Sequence, residues 1–221
     1  MPRILFATVA LALAPLAARA LCTSDGVPQP ALLLERFVSA DCADCWRDPA
    51  TPAAAAGTLA LDWVVPGSRG DDAPLAAAAH EDALERLRQL GRRPPPRLDA
   101  ATSRRSGPAA ALRLAQGAAF NDYVGASIEL AAPSGQGWQA WLLLVEGLPA
   151  GVEGSPVARN LVRNVFRPDW GRPAARPPAL LAEQRAMRIR EGARPERLRL
   201  VAVLQDAHGR IRAITQTECR E

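Results

Sequence analysis

Apolar and polar positions along the chain first mark a continuous run from Ala31 to Val38, built on Leu32, Leu33, Leu34, Phe37 and Val38 and broken only by Glu35 and Arg36. A run of that length and composition predicts a mostly buried strand. Ser39 to Asp41 form a polar turn, and Asp41 is placed to N-cap a short helix carrying Cys42 near its start. Pro49 and Pro52 limit that helix, and a second helical piece is expected from Pro52. Leu59 to Val65 read as a second strand, closed by Pro66 and Gly67. From Pro74 to Leu90, leucines at Leu75, Leu84, Leu87 and Leu90, aspartates before and Gly91 after, predict the strongest helix of the chain. Pro94, Pro95 and Pro96 exclude helix and lead into an extended piece at Arg97 to Asp99. Ser106 and Pro108 open a predicted helix to Gln116, ended by Gly117.

Beyond that point the texture changes. Tyr123 to Leu130, a turn at 133–137, and Trp138 to Val145 read as a hairpin, and Leu198 to Gln205 with Arg210 to Thr217 across Asp206 to Gly209 read as another. Between them come a strand at Arg159 to Phe166, a connector rich in proline and arginine at 168–178, and a predicted helix at 179–190. Trp138 and Trp141, three apart on one strand, must face opposite sides. The order predicts an α/β chain, α+β overall: a thioredoxin-like fold over residues 21–118 followed by an antiparallel β-rich extension over 119–221.

Residues 1–20 read differently again. Arg3, an apolar run from Ile4 to Ala18 and the small-residue exit Ala18, Arg19, Ala20 match a secretory signal peptide, so the mature chain is expected to be exported, periplasmic or secreted. No later stretch approaches the roughly 18 apolar residues a spanning helix needs, so no stable membrane insertion is expected after cleavage. Leu21 puts a bulky residue before Cys22, which argues against a lipid anchor.

Composition adds little beyond this. The 221 residues are 48% apolar and 5% aromatic, an ordinary globular balance that excludes disordered, collagenous and polytopic membrane classes. Every basic residue other than histidine is arginine, and the formal charge of +4 falls to +2 once Arg3 and Arg19 leave with the leader. The arginine-dense stretches from Arg86 to Arg113 and Arg185 to Arg199 are interleaved with acids and lack stacking aromatics, so nucleic acid is not an expected partner. His80 and His208 read as a solvated helix face and a turn.

Four cysteines, Cys22, Cys42, Cys45 and Cys219, in an oxidising compartment make disulfides the default. A Cys22–Cys219 bridge would restrict the unfolded chain by about 5 kcal/mol, against about 2 for Cys42–Cys45. The first reads as a structural staple. The second is a poor staple, and two readings stand for it: a redox pair able to exchange with a partner disulfide, or a structural bridge. A four-cysteine zinc site is the third, disfavoured because two ligands lie at opposite chain ends. Asp41 and Asp44 oppose a thiolate at Cys42 while a helix start favours one, which points to a low-potential disulfide. Trp46 sits where it can shield that disulfide.

Residues 32–45, with Glu35, Phe37, Ser39, Cys42 and Cys45 in register, resemble the opening motif of a bacterial family of exported thioredoxin-like proteins, a domain of unknown function. Residues 160–171 resemble that family's later asparagine-valine-valine-arginine strand, and Val201 to Ala213 its closing strand pair. The resemblance implies thiol–disulfide chemistry at Cys42 and Cys45, with Pro95 or Pro96 nearest to where the family places a cis-proline, and with protein thiols or disulfides, or another periplasmic protein, as partners; no cofactor or metal is expected. The family's polar segment on the next strand is replaced here by residues 61–66, so only the two cysteines and Pro96 carry over. The competing function is a non-catalytic binding or scaffold protein stabilised by disulfides, with a structural CxxC.

Overall fold

Strand β7 (Trp138–Leu148) is buried at almost every position because both of its faces are covered. Trp138, Ala140, Leu142 and Leu144 enter one core and Trp141, Leu143 and Val145 a second on the opposite side. The two tryptophans therefore do face opposite ways, and both are buried. The computed structural model describes residues 22–132, 137–172 and 179–219; the predicted leader and most of the turn and connector read at 133–137 and 168–178 lie outside them.

The remaining elements are β1 (Cys22–Thr23), β2 (Leu32–Ser39), α1 (Ala43–Trp46), β3 (Thr58–Val65), α2 (Glu81–Gln89), β4 (Leu98–Arg104), β5 (Leu112–Phe120) and β6 (Tyr123–Ala132), followed by β8 (Arg159–Phe166), β9 (Ala179–Arg188), β10 (Leu198–Asp206), β11 (Ile211–Gln216) and β12 (Glu218–Cys219). They form a seven-stranded sheet in the order β11-β10-β7-β8-β3-β2-β4 and a five-stranded sheet in the order β12-β1-β5-β6-β9. Only β2 with β3 and β3 with β8 pair parallel. A parallel neighbour cannot be reached by a tight turn, so the chain from β2 to β3 crosses over one face of the sheet, and that crossover carries Cys42 and Cys45. Trp46 packs there on Val64, Leu148 and Leu161. Further along the same face lies the five-stranded sheet, while α2 covers the opposite face by setting Ala83 and Leu87 against Leu33, Phe37 and Trp63.

This overturns the predicted thioredoxin-like α/β fold: the described residues hold twelve strands in two sheets and only two α-helices. Three misread segments account for it. The predicted helix at Ser106 to Gln116 is irregular chain leading into β5, where Leu112, Leu114 and Gln116 point inward and Arg113 outward, a period of two hidden by alanines that suit either element. The predicted helix at 179–190 is β9, paired with β6 from Tyr123↔Arg188 to Ala132↔Ala179. Its alanine, glutamate, glutamine, arginine and methionine favour helix intrinsically, but a free edge of β6 outweighs propensity. β6 and β7 are not a hairpin, because they belong to different sheets. The helix predicted from Pro74 begins only at Glu81, and no helix starts at Pro52. The division at residues 118/119 falls inside β5, and each sheet takes strands from both sides of it.

Cys22 and Cys219 are directly opposed on β1 and β12 and joined by a disulfide, so the two ends of the described chain are closed onto one sheet edge. Replacing both cysteines by serine is expected to cost about 2 to 5 kcal/mol and lower the melting temperature by roughly 10 °C. Thermal unfolding followed by circular dichroism measures it, and an unchanged midpoint would refute the staple.

Candidate functional site

The chain leaves β2 by a tight descent in which Ala40 donates to the Val65 carbonyl, Cys42 to Ser39 and Cys45 to Cys42. Cys42 occupies the N-cap position of α1, which has a single turn and no side-chain cap. Cys42 and Cys45 form a disulfide with their Cα atoms 5.4 Å apart. Their environments differ: Cys42 is partly exposed, whereas Cys45 is fully buried. Of the two, only Cys42 therefore has surface open to an incoming thiol or disulfide. One turn also supplies little macrodipole, so the helix start expected to favour a thiolate at Cys42 is weak.

Asp41 does not cap α1. Its carboxylate accepts from the Ser68 amide at 2.8 Å, the Ser68 hydroxyl at 2.9 Å and the Arg69 amide at 3.2 Å. Desolvation alone would raise its pKa, but these donors and the Arg69 charge outweigh that and hold it below the usual carboxylate value. Gly67 makes this approach possible, since a Cβ there would overlap the carboxylate. The loop after β3 is thus latched to the cysteine loop. Pro96 lies exposed in the connection before β4; Ser39 donates to the Arg97 carbonyl at 2.8 Å, which brings that connection to the same end of β2 as the cysteines.

The segment after Cys45 is held from beneath by charge. Asp62 on β3, with no exposed surface, receives Arg36 Nη2 at 2.7 Å on one oxygen and Arg159 Nη1 at 2.9 Å on the other. The Asn160 amide adds a third donor at 2.8 Å. Both guanidiniums then reach across to the crossover: Arg36 donates to the Pro52 carbonyl at 2.9 Å, and Arg159 to the Trp46 carbonyl at 2.7 Å and weakly to the Thr51 hydroxyl at 3.4 Å. Arg159 also stacks on the Trp46 ring, 4.3 Å from its centroid, and donates to Ser155. Burial lowers the Arg159 pKa, Asp62 opposes the shift, and the like charge of Arg36 adds to it.

The opposite face of β2 carries a second buried pair. Glu35 accepts two donors from Arg86 on α2, at 2.8 and 2.7 Å, and one from the Trp63 indole at 3.1 Å. Arg86 also donates to Gln205, and Gln89 receives the Trp141 indole N–H. The pair fixes α2 to the sheet. Glu35 and Arg36 had looked like interruptions of an apolar strand. Adjacent residues on a strand point to opposite faces, so two charges in a buried strand demand two separate buried partners, and that signal was present in the sequence.

Elsewhere the histidines settle as follows. His80 is not on an exposed helix face but at the start of α2, mostly buried and 3.0 Å from Asp82. His208 lies in the turn after β10, where its amide donates to Asp206. The four cysteine sulfurs are committed to two disulfides, which leaves no four-cysteine zinc site. No family model, curated protein or solved structure matches the chain.

Two changes separate these features. Glu35→Gln leaves the Arg86 charge buried without a counter-ion and is expected to cost about 3 kcal/mol, read from urea unfolding; a loss under about 1 kcal/mol would refute the pair's structural role. Gly67→Ala displaces the Asp41 carboxylate from Ser68 and Arg69, so dithiothreitol should reduce Cys42–Cys45 faster while Cys22–Cys219 keeps its rate. Equal rates in both chains would show that the latch does not guard the disulfide.

Proposed function

We propose that this chain is an exported thiol–disulfide exchange protein that acts on protein thiols or disulfides through Cys42 and Cys45. The observation that carries the reading is the asymmetry of the pair, a partly exposed Cys42 backed by a fully buried Cys45. Exchange needs that division of labour. In the reduced protein the Cys42 thiolate attacks one sulfur of a partner disulfide, a Cys42–partner bond forms, and the other partner sulfur leaves as a thiolate and takes up a proton. Cys45, deprotonated, then attacks Cys42 Sγ, which re-forms the Cys42–Cys45 bond and releases the second partner thiol. Two electrons pass from the pair to the partner. The likeness of residues 32–45 to the opening motif of an exported CxxC family supports the same reading, as does the Cys22–Cys219 disulfide, which belongs in an oxidising compartment.

The environment of Cys42 favours the disulfide form. Asp44 inside the motif is exposed, Asp41 beside it is held ionised, and α1 offers one turn. The reduction potential is therefore expected well below the roughly −120 mV of strongly oxidising periplasmic enzymes. Equilibration with a glutathione series measures it, and a value near that figure would overturn the assignment of the pair as a weak oxidant. Catalysis is tested by turbidity of insulin in dithiothreitol. The wild-type chain should accelerate precipitation and Cys42→Ser should not. No acceleration by the wild type would mean a structural bridge, and the chain would then be a disulfide-stabilised binding or scaffold protein.

A further inference from the structure

Stability alone does not explain why three charges meet beneath the cysteine loop. One guanidinium neutralises Asp62; the second leaves a surplus positive charge in a place where Arg36, Asp62 and Arg159 are each at most 1% exposed. A buried charge without a counter-charge costs several kcal/mol. Arg36 Nε adds to the cost, since it is buried with no hydrogen-bond partner. Besides the Ala158 carbonyl and the Ser155 hydroxyl, the two guanidiniums touch the chain that follows Cys45: the Trp46 carbonyl, the Trp46 ring, Thr51 and the Pro52 carbonyl.

We infer that Arg159 is a positioning residue for the Cys42–Cys45 pair: with Arg36 and Asp62 it supplies buried positive charge that favours the ionised, reduced state of the pair, and it holds the backbone after Cys45 for the resolving attack. The inference rests on the exchange reading for its purpose. Its physical content is that an anion forming at the buried sulfur meets a charge that water does not screen.

The charged groups around the pair and around the chain that follows it are of two kinds. From its own loop come Asp41, Asp44, Arg47 and Asp48, with Arg69 behind Asp41; all but Asp41 and Asp48 are exposed, and Asp41 is occupied by Ser68 and Arg69. From beneath come Arg36 on β2, Asp62 on β3 and Arg159 on β8. At equal separation, a charge acting through an effective dielectric of about 20 is about four times as strong as one acting through water at about 80. On the inference, the buried set acts chiefly at the buried Cys45 and the loop acids at the partly exposed Cys42. Burial of Cys45 by itself would hold its thiol protonated, and the surplus charge offsets that.

The test is the equilibrium between Cys42–Cys45 and dithiothreitol at pH 7 and pH 9 in the full exported chain, read by alkylation and mass spectrometry of each cysteine. Cys22–Cys219 in the same tube is the internal control. Arg159→Met keeps an apolar chain against Trp46 and removes the charge. At pH 9, above the ordinary thiol value of about 8.5, it should make the pair about tenfold harder to reduce, about 30 mV for a two-electron couple, with less than about a twofold change at pH 7. Asp62→Asn raises the surplus charge and should shift the pair the other way at pH 9. Opposite signs with a steady control establish the inference. Same-sign shifts, shifts equal at both pH values, or no shift in a variant whose control pair is unchanged overturn it, and if Arg159→Met fails to fold, the sign of Asp62→Asn decides. Insulin activity is read separately: potentials that move as expected in a chain that never accelerates insulin reduction would retain the electrostatic inference and remove the exchange reading.

Discussion

Asp62 has no exposed surface, and the fold around the cysteine loop depends on how its charge is met. It sits opposite Arg36 in the parallel register of β2 and β3, and opposite Leu161 on β8, so the strand carrying Arg159 begins beside it. An unpaired carboxylate there would be prohibitively costly. Both arginines are consequently drawn inward, and their remaining donors have to find acceptors. They find them in carbonyls and hydroxyls of the crossover and of the turn before β8, segments with little regular structure of their own. One buried negative charge thus recruits two strands and orders the irregular chain that follows Cys45.

The second constraint is that the seven-stranded sheet is covered on both faces. β7 from Ala140 to Val145 and β10 from Leu200 to Leu204 are apolar throughout, and alternate residues go to different cores. Several polar groups entering this interior are met in sets: Glu35 with Arg86 and Trp63, Glu146 with Arg163, Gln116 with Leu200 and Thr217. The first and last of these join elements distant in sequence. Together with the Cys22–Cys219 bridge, they make the β-rich second half and the cysteine-bearing first half parts of one pair of sheets.

Much of the strand content was legible where burial was complete. β2, β3, β8, β10 and β11 stand within a residue or two of the expected runs, because a two-sided core leaves no polar periodicity to confuse. The cysteine pair and the terminal staple were legible from spacing and loop length. β5 and β9 were not, since alanine and arginine mask a period of two on a half-exposed sheet. The Arg36–Asp62–Arg159 cluster was half legible: its charges stood out in apolar strands, but residues separated by 26 and 97 positions carry no mark in one sequence of which partner they take.

The sequence by itself determined the local quantities: which runs are apolar, where proline and glycine interrupt them, and that four cysteines divide into a close pair and a distant pair. These depend on neighbouring residues and on chain length. Only the tertiary structure decided that β6 and β7 belong to different sheets, that β9 is a strand against its propensity, and that one cysteine of the pair is partly exposed and the other buried. The physical reason is that edge pairing, burial and buried-charge matching are long-range terms, larger than the local preferences they override.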